Sequence, residues 1–193
     1  MACYYKSENH AHAKDIKFTF LNKSFYMLEC YNYFVMFIKP DYNLKNVYEI
    51  NIEELKAMGI KCLMFDLDST LMVSKSGRFL PETLEWFKTF ENEFETAIIS
   101  NNKSKKYIEN ANKIAPCKVI GHANKPSPKV MAKYLKSINI EPEQAAMIGD
   151  RPLTDILAGK LLGCKTILVG SINPNENLPT KFVRALERST IRK

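Results

Sequence analysis

No stretch of this chain reaches the roughly 20 consecutive apolar residues that a bilayer-spanning helix needs. The N-terminus also lacks the basic, apolar and small-residue layout of a secretory signal peptide. The five cysteines (Cys3, Cys30, Cys62, Cys117 and Cys164) are odd in number, widely scattered and form no Cys-x-x-Cys pair, which argues against both a disulfide framework and a zinc site. Internal repeats and low-complexity segments are missing too. These absences exclude a membrane-spanning, disulfide-stapled or repeat protein. They leave a reducing, cytoplasmic setting, in which membrane contact would be peripheral and on the inner face.

What is present is a globular composition, 46% hydrophobic and 25% charged over 193 residues, enough for one domain with a substantial core. The net charge of +7 favours an anionic partner: a phosphorylated substrate, a nucleic acid or an acidic membrane surface. Charge alone does not choose among them.

From Lys61 onward, short apolar runs alternate with helical patterns, the signature of a parallel sheet flanked by helices. The runs Cys62-Phe65, Thr96-Ile99, Lys118-Ile120, Ala145-Ile148 and Thr166-Val169 predict strands buried on both faces. Pro81 opens a helix carrying Leu84, Trp86 and Phe87, Ser127-Pro128 caps and opens another, and a third runs from Leu153 to Leu162 before Gly163. Ile52 to Met58 reads as a helix stopped by Gly59, and Pro179 starts a basic one through Arg188. The fold expected is α/β, a three-layer Rossmann-like sheet.

The first forty residues differ. Residues 1–37 form an aromatic and basic extension, and residues 38–193 the main domain. Behind Ser24 as an N-cap, Met27, Leu28, Tyr31, Phe34, Val35 and Ile38 keep helical spacing. Such a helix can pack on the sheet, or lie in a membrane interface with Lys14, Lys17, Lys23 and Lys39 meeting anionic lipid.

The chemistry concentrates at strand ends. Asp66-Leu67-Asp68-Ser69-Thr70 follows the first confident strand, and two exposed carboxylates two residues apart can divide the labour of phosphoryl transfer. The bare pattern arises by accident in a chain this long on the order of two times in a hundred. Later strands add to it: one runs into Ser100-Asn101-Asn102, one into Gly149-Asp150, and the loop after Lys118-Ile120 leads to Lys125. Singly these are turn, cap or surface residues; in order, each where open α/β sheets bind ligands, they form a site.

With these four motifs the sequence resembles the haloacid dehalogenase superfamily of phosphatases. More narrowly, Ile38-Lys39-Pro40-Asp41-Tyr42, Gly59-Ile60-Lys61, Ile99-Ser100-Asn101-Asn102, Lys125-Pro126 and Gly149-Asp150-Arg151-Pro152-Leu153-Thr154-Asp155-Ile156 resemble the YqeG branch of subclass IIIA. That branch is related to phosphatidylglycerophosphate phosphatases. Ser69 is a departure, since many relatives carry Asn there.

A phosphomonoester repels anionic nucleophiles, so the site must neutralise charge before attack. Mg²⁺, a hard cation suited to carboxylate and phosphate oxygens, would do much of that, with Asp66 and Asp150 as side-chain ligands. The resemblance adds the backbone carbonyl of Asp68 as a third ligand. Asp66 is the expected nucleophile and Asp68 the general acid and base. Ser100, Asn101 and Lys125 should hold the phosphoryl oxygens, with Thr70 and Asp155 in support.

In that superfamily, substrate choice usually comes from cap insertions. Ser100 follows Thr70 by 30 positions and Lys125 follows Ser100 by 25, which leaves no room for a cap domain. An open site suits a substrate large enough to exclude water by itself. The expected activity is hydrolysis of phosphatidylglycerophosphate in phospholipid biosynthesis, on a headgroup at an anionic membrane surface. The alternatives are a polynucleotide-end phosphatase, a phosphoprotein phosphatase or a non-catalytic binding module. No aromatic and basic pattern for stacking bases surrounds the motifs, so no stable nucleic-acid partner is expected.

Overall fold

Cys62–Phe65 is apolar and buried throughout, so this strand has no solvent face and must lie within a sheet covered on both sides. The computed structural model describes residues 38–74 and 76–172. Among them the strands are β1 (Tyr42–Asn43), β2 (Cys62–Phe65), β3 (Glu95–Ile99), β4 (Lys118–Ile120), β5 (Ala145–Gly149) and β6 (Lys165–Leu168). All pair in parallel, in the order β1-β6-β5-β2-β3-β4. The helices are α1 (Ile52–Ala57), α2 (Pro81–Lys88), α3 (Lys105–Ile114), α4 (Lys129–Ser137) and α5 (Leu157–Leu162).

Successive side chains of a strand face opposite ways, and here each face meets helices. Leu63, Phe65, Ile98, Ala146 and Ile148 share one core with Leu55 of α1, Phe87 of α2 and Ala111 of α3. Cys62, Met64, Ala97, Ile99 and Met147 share another with Met131 and Leu135 of α4 and Ala158 of α5. The result is the three-layer α/β arrangement that the run of short apolar strands implies. On the first face Phe65, Trp86, Phe87 and Phe90 pack edge-on or tilted, with Trp86 and Phe90 centroids 4.7 Å apart.

The strand order places the site. From β2 the chain winds outward through β3 and β4, then returns to β5 on the other side of β2 and proceeds to β6. The β2/β5 seam is therefore the switch point, where open α/β sheets form a crevice beyond the carboxyl ends of their strands. Phe65 pairs with Ile148 across that seam, and the next residues out are Asp66 and, one position beyond Gly149, Asp150.

Several details depart from the sequence reading. The hydropathy pattern does not announce β1, a two-residue edge strand held mainly by Asp41. The Asp41 carboxylate accepts hydrogen bonds from Thr166 N (2.8 Å), Thr166 Oγ1 (2.7 Å) and Lys160 Nζ (2.9 Å). Nor does it announce α3, which Ser104 caps by accepting from Tyr107 N at 3.3 Å. Ser127 does not cap α4; Pro128 stands at the N-cap and no side chain bonds the first turn. The helix expected from Leu153 begins as a wide π turn, Pro152–Ile156, before continuing as α5. Gly163 ends α5 at φ +90°, a conformation open to glycine without penalty.

Between Thr70 and Ser100 lie a short excursion in which Met72 bridges Asp68 and Phe79, then α2 and β3; between Ser100 and Lys125 lie α3 and β4. These elements account for the described residues of both intervals. No helix among the described residues is long and apolar enough to cross a membrane. The extension over residues 1–37, its candidate helix and the helix expected from Pro179 lie outside the described residues.

Candidate active site

The backbone fixes Asp66 before its side chain does anything, because Asp66 N–H extends the β2 ladder to Ile148 O at 2.8 Å. The chain then turns at once: Leu71 and Met72 N–H donate to Leu67 O, and Ser69 N–H donates to Met72 O at 2.7 Å. Ser69 adopts φ +71° in this turn. That left-handed conformation is one asparagine tolerates better than serine. Thr70, fully buried, donates from Oγ1 to Asp150 Oδ1 at 3.3 Å and ties the β2 turn to the β5 turn.

Lys125 is the centre of charge. Its side chain is 1% exposed, and its Nζ lies 2.6 Å from Asp66 Oδ1 and 2.8 Å from Asp155 Oδ1. Burial opposes the lysine's charge, but the two carboxylates outweigh it and hold its pKa above the ordinary lysine value. For Asp66, burial is the largest influence and raises the pKa; Lys125 pulls it down, Asp155 and Asp68 push it up, and it settles at about 7.

Asp155 reaches the lysine because of the π turn. Its Oδ2 accepts from Arg151 N–H at 3.0 Å, closing the turn on itself, while Oδ1 faces Lys125. Gly149 makes room for it: a Cβ built there would sit against the Asp155 Cβ and Cγ at 2.5 Å. Glycine at that position is therefore a packing requirement.

Asn101, expected among the phosphate ligands, lines the same hollow as Ser100 and Lys125 and has a second task there. Its amide pairs with the backbone of Lys125 in both directions, Lys125 N–H donating to Oδ1 at 2.7 Å and Nδ2 donating to Lys125 O at 3.0 Å. It thus clamps the lysine's loop to the end of β3. Ser100 Oγ accepts from Asn102 N–H at 3.1 Å.

Asp66, Asp68, Ser100, Asn101, Lys125 and Asp155 all line one hollow of about 150 Å³, with Asn102, Arg151 and Thr154 completing its wall. A larger hollow of about 490 Å³ beside β4 has no carboxylate in its lining and cannot supply the same chemistry. Asp66, Asp150 and Asp155 each offer an oxygen within 4.8 Å of the others, a hard, all-oxygen donor set suited to a divalent cation. The side-chain cluster thus includes Asp155, while Asp68 was expected to contribute through its backbone carbonyl. Sequence reasoning missed Tyr107, whose Oη donates to Asp68 Oδ1 at 2.7 Å. Its signal was Ser104, three residues earlier, as the cap of an unrecognised helix.

Residues 32–172 match the family model described as mitochondrial PGP phosphatase. The chain belongs to this family. It is 31% identical to the "Probable phosphatase YqeG" of Bacillus subtilis (strain 168) over 153 residues, covering 79% of this chain and 88% of that one. It is 25% identical to phosphatidylglycerophosphate phosphatase 1, chloroplastic/mitochondrial, of Arabidopsis thaliana over 167 residues, 81% of this chain and 48% of that one. The chain thus spans about half of the plant relative. A haloacid dehalogenase-like family hydrolase from Xanthomonas campestris superposes with a TM-score of 0.49 at 14% identity, covering 69% of this chain and 94% of that one; nothing further rests on that likeness. As a member of the PGP phosphatase family, the protein is a haloacid dehalogenase-type phosphatase, a phosphoric monoester hydrolase.

Proposed function

We propose that the protein is a Mg²⁺-dependent phosphatidylglycerophosphate phosphatase working through an aspartyl-phosphate on Asp66. The observation that carries the mechanism is the buried Lys125 ammonium held between Asp66 and Asp155, in the hollow that Asp68 and Ser100 also line. Asp66, Asp150 and Asp155 would hold the cation, together with the Asp68 backbone carbonyl; when bound, it neutralises carboxylate and phosphate charge.

Lys125 and Ser100 receive the phosphoryl oxygens, and Asn101 assists there while fixing the Lys125 backbone. An Asp66 carboxylate oxygen attacks phosphorus, the P–O ester bond breaks, and its electron pair passes to the departing oxygen, which takes the proton of Asp68. Water then attacks the phosphorus of the aspartyl-phosphate and gives a proton to Asp68. The P–O bond to Asp66 breaks and its electron pair returns to the carboxylate. Ester and water have become alcohol and phosphate.

The substrate assignment rests on the open site, the charge of +7 and the family. With a short excursion, two helices and two strands filling the intervals around Ser100, a large substrate must itself exclude water. A headgroup presented at an anionic bilayer does so, and the basic chain, including residues 1–37, would hold the enzyme on that surface.

A phosphate-release panel tests this. It compares phosphatidylglycerophosphate micelles, a phosphopeptide, a 3′-phosphorylated oligonucleotide and sugar phosphates, each with Mg²⁺ and with chelator. The lipid should be hydrolysed fastest, and only with Mg²⁺. Faster release from the oligonucleotide, falling steeply with salt, would replace the lipid reading with a nucleic-acid one.

A further inference from the structure

We propose that Tyr107 orients Asp68 for proton transfer, a positioning role that rests on the reading of Asp68 as general acid and base. Tyr107 Oη donates to Asp68 Oδ1 at 2.7 Å. With Oδ1 engaged by this bond, Oδ2 is the oxygen better placed to carry the proton that Asp68 delivers. The bond also stops the carboxyl from turning about its last torsion, which is otherwise soft. A proton donor displaced by about 1 Å can lose on the order of a hundredfold in rate, so such an anchor matters for the chemical step.

Tyr107 is itself held. Its ring is half-buried against the core on the α1, α2 and α3 face. Its N–H is capped by Ser104 Oγ at 3.3 Å, Ser104 N–H bonds Asn102 Oδ1 at 2.9 Å, and Asn102 N–H bonds Ser100 Oγ at 3.1 Å. This relay runs from Ser100, proposed to hold the phosphoryl group, to Asp68, proposed to protonate the leaving oxygen. It gives the two ends of the scissile bond one common frame.

The test exploits what a general acid does. As the P–O bond breaks, the electron pair moves onto the ester oxygen, and a poor leaving group needs the Asp68 proton more than p-nitrophenolate does. Values of kcat/KM, which read the first displacement, are measured with Mg²⁺ for wild type, Tyr107→Phe and Asp68→Asn on aryl phosphates graded from p-nitrophenyl to phenyl. Phenylalanine keeps the ring packing, and the phenyl-to-nitrophenyl ratio within one sample cancels any inactive fraction.

Asp68→Asn should lose about a hundredfold more on phenyl than on p-nitrophenyl phosphate, and Tyr107→Phe about tenfold more. If Asp68→Asn shows the selective loss and Tyr107→Phe loses both substrates equally or not at all, Tyr107 is a structural tether and the inference falls. If Asp68→Asn shows no selective loss, the acid assignment fails first and takes this inference with it.

Discussion

Replacing Lys125 with methionine removes the charge between Asp66 and Asp155 while keeping an unbranched stem. Deleting one member of a buried ion pair leaves the other uncompensated, at about 3–5 kcal/mol. Asp66 keeps 14% of its side chain exposed, so the lower end applies. About 3 kcal/mol in a protein of this size lowers Tm by about 6–12 °C.

Protonation limits the loss. Asp66 already sits at about 7 because burial raises it against the pull of Lys125. Without the lysine it rises further, and above that value each pH unit costs at most about 1.4 kcal/mol. An acid whose folded pKa exceeds its unfolded one contributes most below the unfolded value, and the contribution is lost as pH climbs through the folded one. The deficit of Lys125→Met should therefore be about 3 kcal/mol near pH 8, fall by up to about 1.4 kcal/mol as pH drops to 7 and level off below it, leaving about 1.5–2 kcal/mol near pH 5.5. Saturating Mg²⁺ should also shrink it. Thermal melts by circular dichroism at both pH values, in chelator and in Mg²⁺, read all of this. A deficit equal at both pH values and indifferent to Mg²⁺ would refute the electrostatic reasoning.

Other substitutions probe the supports of the site. Asp41→Asn should lower stability by about 1–2 kcal/mol at pH 7. Burial raises the Asp41 pKa, but hydrogen bonds from Thr166 and Lys160 outweigh it and hold the pKa below 3.8, so the deficit should fade as denaturation is measured below that pH. Ser69→Gly should raise stability by up to about 1 kcal/mol by relieving φ +71°, and Ser69→Val should lose about 1–2 kcal/mol, read as shifts in urea midpoint. Gly149→Ala must push Asp155 aside; a loss of about 1–3 kcal/mol together with most phosphate release is expected, and an unaltered enzyme would mean that Asp155 has no part in the site.

Strands buried on both faces are legible because their residues are nearly all apolar, with the polar ones, such as Glu95, Lys118 and Lys165, at the strand starts. Cys62–Phe65 and Lys118–Ile120 coincide with their sequence boundaries, β3 and β5 each run one residue longer at one end, and β6 is shifted by one residue toward the N-terminus. Asp66, Ser100 and Asp150 were legible because each stands where such a run stops, and Lys125 because it lies in the loop that follows one. β1 was not legible, because two residues carry no periodicity and the strand depends on the distant Thr166. Nor was α3: its stripe of Tyr107, Ile108 and Ala111 is diluted by lysines and asparagines, so the tyrosine meeting Asp68 passed unnoticed. Asn101 reads as a phosphate ligand by position, yet only the folded loop brings the Lys125 backbone to its amide.

The central claim is that Asp66 carries the phosphoryl group during turnover. Asp68→Asn should still form the intermediate from p-nitrophenyl phosphate, whose leaving group needs little protonation, but should hydrolyse it slowly. Acid-quenching that variant with Mg²⁺ present, reducing with borohydride and mapping peptides by mass spectrometry should find homoserine in place of Asp66. Labelling of any other residue, or no acyl-phosphate while phosphate is still released, would contradict the mechanism.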